Sequence, residues 1–310
     1  MPPRDSDPTA RVAVHADAHS QKADWGACGV ACEAFVAKVL KAGAAHYRDL
    51  PWRNIDDPYA VLVSEVMLQQ TQVARVEGFW RRFLAAFPTI DALAAASPAD
   101  VLALWQGLGY NRRALALKRC ADECSARYAG QLPQSVDELK ALPGIGPATA
   151  AGVTAFASNE PSCYIETNVR TVFLHELFPE REKVTDRELS PYVQDAAACA
   201  FEGATPRTWY YALLDYGAYL KSQVTNPSRR SAHYSRQSAF EGSHRQKRSF
   251  VLKFVLAAPE GAGREEAHAA LDSFEARAGR APVPQSEFDA VVSELCAEGF
   301  FKAEGDLLRA

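Results

Sequence analysis

Apolar positions along this chain recur every three to four residues over long stretches, while strict alternation of apolar and polar residues is scarce. That periodicity is helical. It predicts helices over residues 31–45, 59–70, 73–87, 98–105, 112–129 and 136–142. Their stops include Gly43, Pro88, Gly107 and Gly130. Asp56-Asp57-Pro58 and Ser97-Pro98 are start signals, and Ser135 with Glu138 three residues on has the spacing of a capping box. No pair of these runs reads as a sheet, so the fold is expected to be mainly α, a bundle of helices rather than a doubly wound sheet. Three more helical runs, at 247–257, 264–277 and 285–297, precede Gly299-Phe300-Phe301-Lys302 and Gly305-Asp306-Leu307-Leu308-Arg309. Those last segments predict a terminal two-stranded hairpin, and with the three helices a small winged-helix-like module. The expected division is a disordered leader at 1–29, a helical domain at 30–225, a basic segment at 226–246 and the module at 247–310.

Composition changes this picture little. A hydrophobic share of 48% and a charged share of 23% are ordinary for a globular chain. No run approaches the roughly 18–20 apolar residues that span a bilayer. Residues 1–21 carry acids and lack an apolar centre, so they do not read as a secretory signal, and a cytoplasmic protein is expected. The seven cysteines (Cys28, Cys32, Cys120, Cys124, Cys163, Cys199 and Cys296) contain no CxxC pair, and no disulfide framework is expected. Cys28/Cys32 and Cys120/Cys124 read either as small buried residues of Ala-rich helices or as paired thiols on one helix face.

Charge distribution matters more. The net charge of −4 speaks against a polyanion partner, yet between Asn226 and Lys253 stand seven Lys/Arg against the single acid Glu241. Arg229, Arg230, Lys247 and Arg248 are among them. The stretch is either an electrostatic footprint for a phosphate backbone or a solvated basic loop.

Three short segments carry candidate chemistry. Leu142-Pro143-Gly144-Ile145-Gly146 joins two helices, and its glycines allow a tight turn whose following N–H groups can hold a phosphate. A plain helix–turn–helix hairpin is the alternative. In Ser64-Glu65-Val66-Met67-Leu68-Gln69-Gln70-Thr71-Gln72, Glu65 sits in an apolar helix. Desolvation there raises a carboxyl pKa toward the range of a general acid, unless Glu65 is simply half of a buried ion pair. The Gln and Thr side chains at the helix end are neutral hydrogen-bonders suited to the gap left by an extruded base. In Tyr164-Ile165-Glu166-Thr167-Asn168-Val169-Arg170, Glu166 is either an ordinary surface acid or a second carboxylate that stays ionised and steadies positive charge on a sugar.

Taken in order, Leu50-Pro51-Trp52-Arg53, the helix from Pro58-Tyr59 to Gln72, Leu104-Trp105-Gln106-Gly107-Leu108-Gly109-Tyr110, the Gly144 hairpin and Asn168-Val169-Arg170 resemble the catalytic domain of MutY-type adenine glycosylases, of the endonuclease III superfamily. The resemblance runs from about residue 50 to residue 220. It implies two helical subdomains of the helix–hairpin–helix glycosylase fold, with the substrate base bound between them. It implies that Glu65 protonates the leaving adenine, that Gln70 and Tyr110 wedge into the duplex, and that Arg53 and Asn168 lie near the flipped nucleotide. Gly144 and Gly146 match the hairpin that grips phosphate.

Three departures qualify it. Glu166 stands where the family has its catalytic aspartate. Ala148 stands where bifunctional relatives have the Schiff-base lysine, so strand cleavage is expected to be absent or weak. Most relatives also follow Asp-Leu-Gly-Ala with four cysteines that bind an iron–sulfur cluster. Here Asp215-Tyr216-Gly217-Ala218 runs into Tyr219-Leu220-Lys221, with no cysteine before Cys296. The cluster, and any other cofactor or metal, is therefore expected to be absent. Residues 247–310 also show no sign of the nucleotide-hydrolase-like domain with which such enzymes recognise 8-oxoguanine, which leaves the excised base open. The expected function is monofunctional excision of adenine opposite 8-oxoguanine or G from double-stranded DNA, by a nucleoid-associated monomer that has no membrane contact. Excision of uracil, mismatched thymine or another damaged base by a glycosylase of the same superfamily, or DNA binding without catalysis, are the alternatives.

Overall fold

The computed structural model of the chain describes residues 23–236 and 239–310. Contacts group the chain into two compact units, one made of the described residues up to Asp49 with Thr154–Tyr234, the other of Leu50–Val153 with Ser235–Ala310. Residues 247–310 belong to the second of these.

The first unit holds α1 (Cys32–Ala45), a π-helical stretch (Thr154–Ser158), α9 (Thr167–Glu176), α10 (Asp186–Ala200), α11 (Pro206–Gln223) and a short 3-10 turn (Pro227–Arg230). Its centre is aromatic: Phe35 of α1 lies 4.9 Å from Phe173 of α9 and 6.5 Å from Trp209 of α11, centroid to centroid. Helices α1 and α11 touch backbone to backbone, because a Cβ at Gly43 would stand 2.4 Å from the Cα of Ala212. Asp215, 1% exposed, anchors the chain leaving α1 by pairing with Arg48 Nε at 2.5 Å. Residues 23–29, expected as part of a disordered leader, form ordered turns here. Trp25 packs 5.6 Å from Phe35 and 5.5 Å from Tyr192, and its indole N–H donates to Asp195. A large ring that finds an apolar wall orders its neighbours, and sequence composition does not reveal that wall. Residues 1–22 of the expected leader lie outside the described residues.

The second unit carries α2 (Pro58–Leu68), α3 (Val73–Ala86), α4 (Ile90–Ala95), α5 (Pro98–Trp105), α6 (Arg112–Arg127), α7 (Val136–Ala141) and α8 (Pro147–Val153). The start signals act as expected: Asp57 accepts from the N–H groups of Tyr59 and Ala60, and Ser97 from that of Asp100. Ser135 caps the N–H of Glu138, but the Glu138 carboxylate takes the Ser135 hydroxyl at 2.6 Å, so the capping box is half formed. Thr185 and Glu188 form a complete box at α10. The six-residue α4, capped by Thr89, is too short to show a period and is not legible in the pattern.

The rest of this unit is α12 (His244–Leu256), β1 (Ala262–Gly263), α13 (Arg264–Arg277), α14 (Gln285–Ala297), β2 (Lys302–Glu304) and β3 (Leu307–Arg309). The hairpin β2–β3 gains a third strand, β1, giving an antiparallel sheet of order β1-β3-β2 with Leu308 opposite both Ala262 and Ala303. Two residues cannot announce a strand by alternation, which is why β1 is absent from the pattern. Three helices and this sheet make a winged-helix-like arrangement. Among the described residues no helix is long and apolar enough to cross a membrane.

The contact at Gly43 yields a stability prediction. In a helix interior alanine is favoured over glycine by about 1 kcal/mol, but overpacking a filled contact costs about 1–3 kcal/mol. Gly43→Ala should therefore lower the urea midpoint, and a midpoint at or above the parent's would show that α1 and α11 part freely.

Candidate active site

In the second unit the candidate residues surround the end of α2. Glu65 lies on that helix beside Leu62, Val66 and Met67, all at most 3% exposed, and keeps part of its own surface open. The chain then turns sharply: Gln70 sits at φ +54 and Tyr110, in the second candidate loop, at φ +51. Non-glycine residues pay conformational strain in this region, so something must hold the turns. Arg113 at the start of α6 does so. Its guanidinium donates to the carbonyl oxygens of Val66 (2.8 Å), Met67 (3.0 Å), Gln69 (2.6 Å) and Gly109 (3.0 Å), and to Thr71 Oγ1 (3.1 Å). It thereby caps α2 and fastens the Gln70 turn to the Tyr110 turn. Sequence reasoning passed over Arg113, since a lone arginine at a helix start carries no signal of its own.

Tyr110 is 37% exposed, with the guanidinium carbons of Arg113 and Arg245 at 5.4 Å and 5.9 Å from its ring centre. Arg245 also donates to the Tyr110 hydroxyl at 3.3 Å and stands 5.9 Å from the ring centre of the exposed Phe240. Aromatic faces beside guanidinium groups suit stacked bases and phosphates. Gln69 Nε2 donates to Thr149 Oγ1 of α8 at 3.1 Å, tying α2 to the glycine hairpin. Within that hairpin Gly144 is required twice, for φ +77 and because a Cβ would stand 2.5 Å from that of Ala116, whereas Gly146 faces open space. Arg53 is buried, 5% exposed, next to Trp52, whose ring packs against Trp80.

The first unit holds Glu166 and Asn168. Glu166 is the N-cap of α9: its Oε1 accepts from the N–H groups of Asn168 (2.5 Å) and Val169 (3.0 Å), and its Oε2 from Asn168 Nδ2 (3.4 Å). Desolvation pushes this carboxyl above its ordinary range, while Lys221, the two N–H groups and Arg170 pull it back. Asn168 Oδ1 is buried with no hydrogen-bond partner among the described residues.

Of the four basic residues expected at phosphate, the structure commits three elsewhere. Arg230 donates to the carbonyl oxygens of Leu174 (2.9 Å), Phe178 (2.6 Å) and Pro179, closing the C-terminal end of α9. Lys247 pairs with Glu287 at 2.5 Å, and Arg248 with Glu294 at 2.5 Å and Glu298 at 2.7 Å, each side chain 15% exposed. The acids of α14 and of the residue that follows it supply the reason. Only Arg229 of the four is exposed.

The residues described do not fit an iron–sulfur cluster, which needs four thiolates at one place. All seven cysteines are free thiols, Cys120 hydrogen-bonding to Cys124 and Cys32 to Cys199, and no group of three His, Cys, Asp or Glu side chains gathers as a ligand set among the described residues.

Residues 63–195 match the family described as HhH-GPD superfamily base excision DNA repair protein. The adenine DNA glycosylase of Mycobacterium tuberculosis is 34% identical over 237 residues, 68% of this chain and 75% of that one. The chain belongs to the MutY-type adenine DNA glycosylases. The Mycolicibacterium smegmatis member of the family is 40% identical over 173 residues, of which this chain spans 58% of the relative's length. In fold the chain is similar to a thermostable thymine-DNA glycosylase, with a TM-score of 0.52 at 24% identity, over 60% of this chain and 86% of that one.

Arg113 gives this site its prediction. Arg113→Lys keeps the charge but cannot serve so many acceptors at once, and buried acceptors left unmade cost about 1–3 kcal/mol. Amide exchange at Thr71 and at residues 109–110 should quicken in that variant, and exchange equal to the parent's would remove Arg113 as the fastening of the two turns.

Proposed function

We propose that the chain is a monofunctional DNA glycosylase that excises mispaired adenine, opposite 8-oxoguanine or G, from double-stranded DNA. The observation that carries this reading is Glu166, a desolvated carboxylate fixed by two backbone N–H groups at a helix start. A held negative charge of this kind stabilises positive charge that develops on a sugar. The base leaves the stack, as chemistry on a base requires. Glu65 delivers its proton to the departing adenine while the C1′–N9 bond breaks. Glu166 faces the oxocarbenium ion. Water then adds to C1′ and returns a proton to Glu65. Gln70 and Tyr110 occupy the space of the extruded base, Asn168 contacts the flipped nucleotide while Arg53 stays buried beside Trp52, and the Gly144–Gly146 hairpin holds phosphate. Ala148 offers no amine for a Schiff base, so the strand stays intact. The enzyme works as a monomer, without an iron–sulfur cluster.

A panel of duplexes, each with one mismatched or damaged base, tests the reading. Abasic sites should form at A opposite 8-oxoguanine or G, with strand breaks only after hot alkali. Preferential loss of U or T opposite G would replace it with a pyrimidine glycosylase. Glu65→Gln should slow single-turnover excision by about 10²–10⁴-fold while binding persists, and an unchanged rate would remove Glu65 from the chemistry.

The internal pairing of the basic residues gives a separate expectation for DNA binding. Arg229→Ser should reduce the slope of log affinity against log salt by about 0.9. The double variant Lys247→Ser with Arg248→Ser should leave that slope alone and lower the melting temperature. The reverse pattern would return Lys247 and Arg248 to the phosphate backbone.

A further inference from the structure

Two cations act on Glu166, Arg170 and Lys221. Arg170 on α9 is held by both oxygens of Asp186 on α10, at 2.7 Å each. His233 stands 3.8 Å from the same Asp186. Arg48 is held by the buried Asp215 of α11. One cation is left over: Lys221, at the end of α11, makes no contact ion pair among the described residues. Its position follows from Gly217. A Cβ there would stand 2.3 Å from the carbonyl oxygen of Asn168, so α11 meets the first turn of α9 with nothing between them. Lys221 is four residues further on, hence on the same face of α11, which turns it toward the helix start that Glu166 caps. The interaction is mutual: Lys221 pulls the Glu166 carboxyl down against desolvation, and Glu166 pulls the Lys221 ammonium up against desolvation and the charge of Arg48.

We propose that Lys221 is a positioning residue for base excision, whose ammonium supplies the counter-charge under which Glu166 carries its negative charge out of water. The proposal rests on the reading of Glu166 as the carboxylate that faces the reacting sugar. Lys221 acts through Glu166 and takes no part in bond making.

The pH dependence of single-turnover excision by the full chain tests it. Glu166 must be deprotonated to work, and removing a nearby cation raises a carboxyl pKa. In Lys221→Met the acid limb of the rate profile should therefore move to higher pH by about one unit, a loss of about tenfold on that limb. The rate should recover on the alkaline plateau, which a merely structural defect would not allow. Lys221→Arg should restore the parent profile, and Lys221→Gln carries the same test if the Met variant does not accumulate folded. In a Glu166→Gln background the shift should vanish. A Lys221→Met profile that superposes on the parent's, or that is depressed equally at every pH, overturns the proposal and leaves Glu166 untouched. Full activity of Glu166→Gln alone would instead overturn the underlying reading.

Discussion

The carboxylate that caps the start of α9 is the interaction about which the contacts of the first unit gather. Desolvation penalises the charged form of Glu166, and fixed donors at the helix start offset part of that penalty. The first turn of α9 provides two backbone N–H groups and the Asn168 amide. Those donors are in place only because α9 is pinned at both ends. Arg170 and Asp186 tie its beginning to α10, and Arg230 closes its end. Gly217 then lets α11 come to backbone contact with the turn. Glu166 serves as the cap through one oxygen, since both backbone bonds are made by its Oε1.

The second unit meets a different demand, that of presenting side chains from strained turns. Gln70 and Tyr110 occupy left-handed conformations that neither residue prefers. Strain of about 1–3 kcal/mol at each such residue persists only where the surroundings over-determine the backbone. One guanidinium does so for both turns, because the five donors of arginine lie in a rigid fork and can address several carbonyls at once. The neighbouring α12 adds Arg245 at the Tyr110 ring, so the winged-helix-like part borders the same turn.

Much of this was legible in the residues, and what was missed has physical causes. Helix periods and the caps at Asp57 and Ser97 read correctly because they depend on local chemistry alone. The resemblance placed Glu65, Glu166 and Asn168 on elements that the structure describes, one in the second unit and two in the first. Trp25, β1 and α4 were missed because a single ring, a two-residue strand and a six-residue helix leave no periodic trace. The basic stretch misled in a more general way. A sequence counts charges but does not pair them, and the acids that neutralise Lys247 and Arg248 stand 40 to 50 residues away. Arg113 shows the converse, a residue of ordinary type whose importance lies wholly in the carbonyls that surround it.

The way Arg230 closes α9 has a consequence for how this part of the molecule tolerates change. Its three acceptors are main-chain carbonyls of Leu174, Phe178 and Pro179, which every substitution at those positions leaves in place. The acceptor side of the joint is therefore immune to mutational loss, and its side chains are free to drift under selection for packing alone. All of the vulnerability is concentrated in one codon, that of residue 230. A joint built in this way can be gained or abandoned in a single step, which makes the segment after α11 an easy place for related chains to diverge.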